Sequence, residues 1–280
     1  IGPGTSIGNM YLGPLYYYLM APALFLAGYS PVGPAIMIAV LGIVTVWFIW
    51  YAARTWFGNK AAILSAALYA IAPTIIIYSH SSWNPNIMPF FALLSIWSVW
   101  KYWHDKSFRW IGVASLAFTF CLQSHYLALI LAPVLGFYWL LTLRDLILTK
   151  KPLKGFLIHT AIAVFIFALL MSPLVIFDIR HNYMNFHALQ VFFTERQTTV
   201  SIKPWNAIPG MWPQLTLITT RLLTGYNAEV GQWIALLIVA GVGVAFVKNK
   251  FKFSNTSLQA LALLVIWLVA GLAGLALYKQ

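Results

Sequence analysis

KYWHDKSFRWIGVASLAFTFCLQSHYLALILAPVLGFYWLLTLRDLILTKKPLK, residues 101–154, decides the fold. A basic stretch with Lys101, Lys106 and Arg109 opens it, and a second with Arg144, Lys150, Lys151 and Lys154 closes it. Between them lie two apolar runs, 109–122 and 126–143, parted by Gln123-Ser124-His125. In a membrane protein, loops rich in Lys and Arg stay on the cytoplasmic side. Two cytoplasmic loops must be separated by an even number of crossings. The stretch therefore predicts a helical hairpin whose tip, 123–125, faces outward.

The same reading extends both ways along the chain. Arg54 with Lys60, and Lys248 with Lys250 and Lys252, form two further clusters, so the four hold twelve of the 17 basic residues. Stretches of roughly 17–25 apolar residues are candidate spans. They fall at 31–52, 60–78, 86–101, 109–122, 126–143, 155–177, 231–247 and 258–277. With 61% hydrophobic and 8% charged residues the chain has too few polar groups to face water, since soluble domains carry about 25% charged residues. The prediction is an all-α polytopic membrane bundle of about eight transmembrane helices, residues 1–280 forming one domain. Pro73, Pro89, Pro133 and Pro173 fall inside or beside spans, as membrane helices tolerate.

Tyr11 to Gly28 is apolar too, but Tyr11, Tyr16, Tyr17 and Tyr18 crowd it and Pro14 and Pro22 interrupt it. Aromatic belts mark the membrane interface. Residues 1–30 are therefore read as an outer loop with a helix lying on the outer face, rather than as a ninth crossing. The outer side then also holds 79–85, 123–125 and the long stretch 178–230, which is too long for a simple connection. Within that stretch 186–193 and 215–223 read as short surface helices. Residue 1 is Ile and opens in the Gly/Pro-rich Ile1-Gly2-Pro3-Gly4-Thr5-Ser6, which suggests a part of the protein upstream.

The net charge of +12 is accounted for by the inside loops and their contact with anionic headgroups. No nucleic-acid partner is expected. Cys121, alone in an apolar run, offers neither a disulfide nor a metal site. No two carboxylates stand at ligand spacing, so neither metal nor cofactor is expected.

Polar and aromatic residues gather on the outer tips: His80, Trp83, Asn84 and Asn86; Gln123 and His125; then Asp178, Arg180 and His181. Arg180 carries a fork of donors suited to phosphate, and His125 and His181 can donate to the same anion. Tyr11, Tyr16, Tyr17, His80, Trp83, Asn84, Asn86 and Gln123 are the candidate sugar or acceptor contacts, by stacking and by hydroxyl hydrogen bonds. The outer carboxylates are Asp178, Glu195 and Glu229. Asp178 is the candidate base, with an ion pair to Arg180 as its structural alternative; Glu229 reads equally as a solvated helix start.

Gly2-Pro3-Gly4-Thr5-Ser6, Tyr11-Leu12-Gly13-Pro14-Leu15-Tyr16-Tyr17-Tyr18-Leu19 with Ala21-Pro22, Ser82-Trp83-Asn84-Pro85-Asn86 and Phe177-Asp178-Ile179-Arg180-His181-Asn182-Tyr183 resemble bacterial family 39 glycosyltransferases. These are membrane enzymes of the C-type superfamily, related to protein O-mannosyltransferases and the lipid A aminoarabinose transferase. The resemblance covers roughly residues 1–200. It implies a polyprenyl-phosphate sugar donor, an extracytoplasmic active face in the plasma (inner) membrane, and an acidic base in the first outer loop. No Asp or Glu precedes Asp105, so that base would lie upstream of Ile1. Mannosyl and aminoarabinose members carry a further Asp near the second outer tip, where this sequence has Asn84 and Asn86.

A membrane glycosyltransferase is thus the expected function, with membrane lipids around it and an acceptor the sequence leaves open. The alternatives are a multispan transporter or lipid flippase, and a structural subunit. Transporters place charges or repeats at the membrane midplane, and these spans carry almost no ionisable residue and no repeat.

Overall fold

The computed structural model describes residues 1–5, 10–194, 201, 203–249 and 255–278. Ser6, Glu195, Arg196, Lys250 and Lys252 lie outside them. The described chain is helical: α1 (Leu15–Leu26), α2 (Val32–Phe57), α3 (Asn59–Ile71), α4 (Pro73–Tyr78), α5 (Met88–Trp103), α6 (Arg109–Ser124), α7 (Leu131–Leu148), α8 (Lys154–Arg180), α9 (Met184–Thr194), α10 (Ile208–Leu223), α11 (Ala228–Lys248) and α12 (Thr256–Leu277). Short 3-10 turns at Asn84–Ile87, Tyr126–Ile130 and Pro204–Ala207 lead into α5, α7 and α10. Among the described residues, five helical segments are long and apolar enough to cross a membrane: Val32–Phe57, Tyr126–Leu148, Lys154–Arg180, Ala228–Lys248 and Thr256–Leu277. The protein is a multi-pass membrane protein.

Every predicted span finds a helix, with one interruption. The run 60–78 is two helices, because Pro73 has no N–H to give and forces Ala72 into an extended conformation (ψ 120°). The Tyr-rich run gives α1, whose 12 residues are too short, at ~1.5 Å each, to cross a ~30 Å hydrocarbon core.

The chain forms two compact units, Ile1–Met37 with Ser82–Ile202, and Ile38–Ser81 with Lys203–Lys279. In the first, α5 is the hub. It packs on both α6 and α7, and every residue from Ser95 to Trp100 is buried. A helix apolar all round belongs in such a place. Its two buried serines bond back to their own helix, Ser95 Oγ to the Phe91 carbonyl (2.9 Å) and Ser98 Oγ to that of Leu94 (2.7 Å), so burial orphans neither hydroxyl. α8 packs on α6 and turns the rest of its surface outward, exposing Leu157, Ile162, Phe165, Leu169 and Val175. Such a face suits lipid.

The hairpin parity is visible in the ion pairs. Lys106 Nζ reaches Asp145 Oδ2 at 3.1 Å, so the loops flanking α6 and α7 share one end. Asp105 is held by Lys101 and by His104 (2.6 Å). In the second unit Ser257 Oγ donates to the Trp56 carbonyl at 2.7 Å, joining the end of α2 to the start of α12. Thr74 Oγ1 donates to the Arg221 carbonyl at 3.0 Å, tying α4 to α10. Asn227 and Asn255 cap α11 and α12 by accepting the Val230 (3.1 Å) and Leu258 (2.7 Å) N–H groups.

Candidate active site

At the end of the first unit opposite the Lys106–Asp145 pair, four chain segments meet. The N-terminal loop closes on itself through Gly2 N–H to the Leu12 carbonyl (2.8 Å) and Leu12 N–H to that of Pro3 (3.0 Å). This places Tyr11 to Gly13 against the α6 tip. Gln123, almost fully buried, accepts the Leu15 N–H on Oε1 (3.3 Å) and donates from Nε2 to the Leu170 carbonyl (2.7 Å). One amide therefore joins α1, α6 and α8. Gly13 makes this possible: a Cβ there would lie 1.9 Å from Gln123 Oε1.

The tip before α5 joins the same assembly. Buried Asn84 donates its amide to the Ser124 carbonyl, and the Tyr16 hydroxyl shares a 3.0 Å hydrogen bond with Ser82 Oγ. Burial raises the Tyr16 pKa, an effect the Ser82 bond opposes.

Asp178 does not pair with Arg180. Positions i and i+2 on a helix point to different sides, and the Asp178 carboxylate instead accepts main-chain N–H groups at the start of α9. Oδ1 takes that of Asn185 (2.6 Å) and Oδ2 that of Phe186 (3.3 Å). Asn185 Oδ1 in turn accepts the Tyr11 N–H at 2.7 Å. The relay Asp178–Asn185–Tyr11 thus pins the N-terminal loop to α8 and α9.

A cavity of about 270 Å³ lies within this frame, lined by Tyr11, Gln123, Tyr126, Asp178, Asn185 and otherwise mostly apolar side chains of α6, α8 and α9. Asn185 Nδ2 is buried without a hydrogen-bond partner. A buried unpaired donor costs about 1–3 kcal/mol, and a ligand oxygen would satisfy it.

The two histidines hold opposite tautomers. His125 Nδ1 accepts the Leu127 N–H at 3.2 Å, so its proton sits on Nε2, and burial depresses its pKa. His181 Nδ1 faces the Phe177 carbonyl at 2.8 Å and must carry the proton, leaving Nε2 an acceptor unless the ring is charged. Its ring stacks on Phe177 (4.0 Å), which meets Tyr11 edge-on (5.8 Å).

Of the residues expected from sequence, Tyr11, Gln123 and Asp178 line the cavity, while Tyr16, Asn84 and His125 sit in the surrounding frame. Tyr17, Trp83, Arg180 and His181 are exposed, Asn86 is half-buried, and exposed His80 belongs to the other unit. Glu229 stands exposed in the first turn of α11. Sequence reasoning missed Asn185, because its partners are main-chain groups that leave no mark in the sequence. Among the described residues, no group of three or more His, Cys, Asp and Glu could hold a metal ion.

A family model described as dolichyl-phosphate-mannose-protein mannosyltransferase matches residues 12–177. Among solved structures, the crystal structure of ArnT from Cupriavidus metallidurans bound to undecaprenyl phosphate matches at 18% identity with a TM-score of 0.50. The match covers 95% of this chain and 49% of that one, so the chain spans about half the length of ArnT. At this identity the likeness bears on the fold alone. No curated protein matches the chain.

Proposed function

Because the chain belongs to the dolichyl-phosphate-mannose-protein mannosyltransferase family, we propose that it is the membrane core of a glycosyltransferase using a polyprenyl-phosphate sugar donor on the extracytoplasmic side of the plasma membrane. The observation that carries this reading is the family match over 12–177, the segment that supplies the cavity's α6, the α6 tip and nearly all of α8. The likeness of fold to a protein crystallised with undecaprenyl phosphate supports it.

In this reading an acceptor hydroxyl attacks the anomeric carbon. The bond to the lipid phosphate breaks, and the phosphate leaves on its lipid with the bonding electrons. The acceptor proton passes to a base outside the residues assigned here. Asp178 belongs to the frame, since both of its oxygens hold main-chain donors. Arg180, exposed and without an ion-pair partner among the described residues, takes the departing phosphate. Neutral His125 donates from Nε2, whereas His181 helps only as imidazolium. Asn185 Nδ2 and Tyr11 face the sugar or acceptor, with Tyr17 and Trp83 as exposed stacking surfaces.

The test is label transfer from a radiolabelled polyprenyl-phosphate sugar by the full-length protein and its Arg180→Ala and Arg180→Lys variants. Loss of a preorganised phosphate donor is expected to lower kcat by about 10²–10³-fold for Arg180→Ala, with partial recovery in Arg180→Lys. Unchanged turnover would remove Arg180 from the site.

A further inference from the structure

α8 ends on a left-handed turn. The Tyr183 N–H donates to the Asp178 carbonyl at 2.8 Å, the closing bond of a Schellman turn. Such a turn needs a residue of positive φ, and Asn182 supplies it (φ 54°). Asn tolerates that region because its short polar side chain can bond locally. The chain then repeats the conformation at Tyr183 (φ 56°), where a Cβ crowds the following carbonyl oxygen. Tyr183 also opens α9, its carbonyl accepting the His187 N–H at 2.9 Å. A residue in that position is usually extended; Tyr183 is not.

Nothing the ring touches accounts for this strain. The Tyr183 side chain is exposed, and it makes no hydrogen bond and no ring contact among the described residues. Two other described tyrosines have positive φ, Tyr29 (64°) and Tyr226 (74°), each directly after a left-handed glycine. Tyr29 lays its ring edge-on against Phe25 at 6.1 Å. Tyr226, in the second unit, is exposed and as bare as Tyr183. What separates these two is their neighbours. Tyr183 stands between Arg180, exposed in the last turn of α8, and Asn185, which lines the cavity. Asp178 holds both sides of it, the Tyr183 N–H on its carbonyl and the Asn185 N–H on its carboxylate. Strain of this kind gathers where ligands are held.

We propose that Tyr183 is a specificity-determining residue of the transfer site, its ring stacking on the sugar of the polyprenyl-phosphate donor while Arg180 takes the phosphate. The inference rests on the glycosyltransferase reading above. The face of an aromatic ring is negative, and the C–H groups of a sugar offer it an apolar, slightly positive surface. Tyr183 follows Arg180 by three residues, at most about 11 Å of chain, so one sugar phosphate reaches both. The left-handed backbone fixes where the ring projects.

The experiment measures binding of radiolabelled polyprenyl-phosphate sugar, and of bare polyprenyl phosphate, to the full-length protein in detergent. Melting temperature and sugar transfer are followed on the same samples. Tyr183→Gly relieves the backbone, and this outweighs the freedom a glycine adds to the unfolded chain, so it should melt no lower than wild type. It should nonetheless bind the sugar-bearing lipid about tenfold more weakly, the loss of one aromatic contact, and the bare lipid equally well. Tyr183→Phe keeps the ring and should stay within about twofold of wild type. Tyr226→Gly relieves the same strain in the second unit and should change neither affinity. Equal affinity of wild type and Tyr183→Gly for the sugar-bearing lipid would overturn the proposal, as would an equal loss for both lipids or a loss shared by Tyr226→Gly. A lower melting temperature for Tyr183→Gly would overturn the premise that the strain serves no packing. If the protein transfers no sugar, yet Tyr183→Gly loses affinity for the sugar-bearing lipid alone, the glycosyltransferase reading fails and the contact stands.

Discussion

Gln123 and Gly13 are a matched pair: a Cβ at Gly13 would lie only 1.9 Å from Gln123 Oε1 and 2.2 Å from its Cδ. The space a Cβ would need at Gly13 is occupied by the Gln123 amide. Gly13→Ala should therefore destabilise the protein by about 1–3 kcal/mol, as overpacking does. Gln123→Ala should cost a similar ~1–3 kcal/mol by orphaning the Leu15 N–H. Truncating Gln123 also vacates the space that the methyl group added by Gly13→Ala needs, so the double variant should cost less than the two singles combined. Melting temperatures of the four proteins in one detergent check this, and strict additivity would show that the two residues do not interact. His125 makes a pH prediction. Burial depresses its pKa below the ordinary value near 6.5, so the unfolded chain takes up the proton first. Its contribution is intact above that value and is lost as pH falls through it toward the folded pKa. His125→Asn keeps an acceptor for the Leu127 N–H and carries no titrating group. Between about pH 7.5 and about pH 5 it should lose less stability than wild type; parallel melting curves would show that His125 is not the titrating group.

α9 begins where it does because Asp178, on another helix, accepts its first N–H groups. Asp178→Asn keeps one good acceptor and Asp178→Ala none, so hydrogen exchange at the start of α9 should quicken in the order wild type, Asn, Ala. The Ala variant should lose about 0.5–2 kcal/mol of local protection. Equal protection in all three would mean that α9 holds without the cap. At this scale sequence and structure agree where lipid sets the rule and part where main-chain hydrogen bonds set it. Span lengths and basic loops located α2, α5 to α8, α11 and α12, and the Lys106–Asp145 pair puts the two basic loops at one end as counted. Pro73 stood in plain view, yet whether it kinks a helix or divides it depends on Ala72, which the structure finds extended. Asp178 beside Arg180 invited an ion pair, but the helix turns them apart. The roles of Gln123 and Asn185 rest on carbonyl and N–H partners that any sequence would offer, and so could not be read in advance.

Over the whole molecule, the polar frame and the charged loops occupy different ends of the first unit, with buried α5 and lipid-facing α8 between them. Gln123, Asn84, Asp178 and Asn185 build a cavity at one end, while Arg109, Arg144 and Lys154 stand at the other. The spans contain almost no ionisable group, which fits chemistry at a membrane face better than passage of a charged solute through the middle. The most direct measurement follows a sugar label and a lipid label on one polyprenyl-phosphate donor in vesicles carrying the full-length protein and acceptor-rich extract. A glycosyltransferase moves the sugar label to acceptor and leaves polyprenyl phosphate behind. Translocation of both labels together across the bilayer, with the sugar–phosphate bond intact, would contradict it.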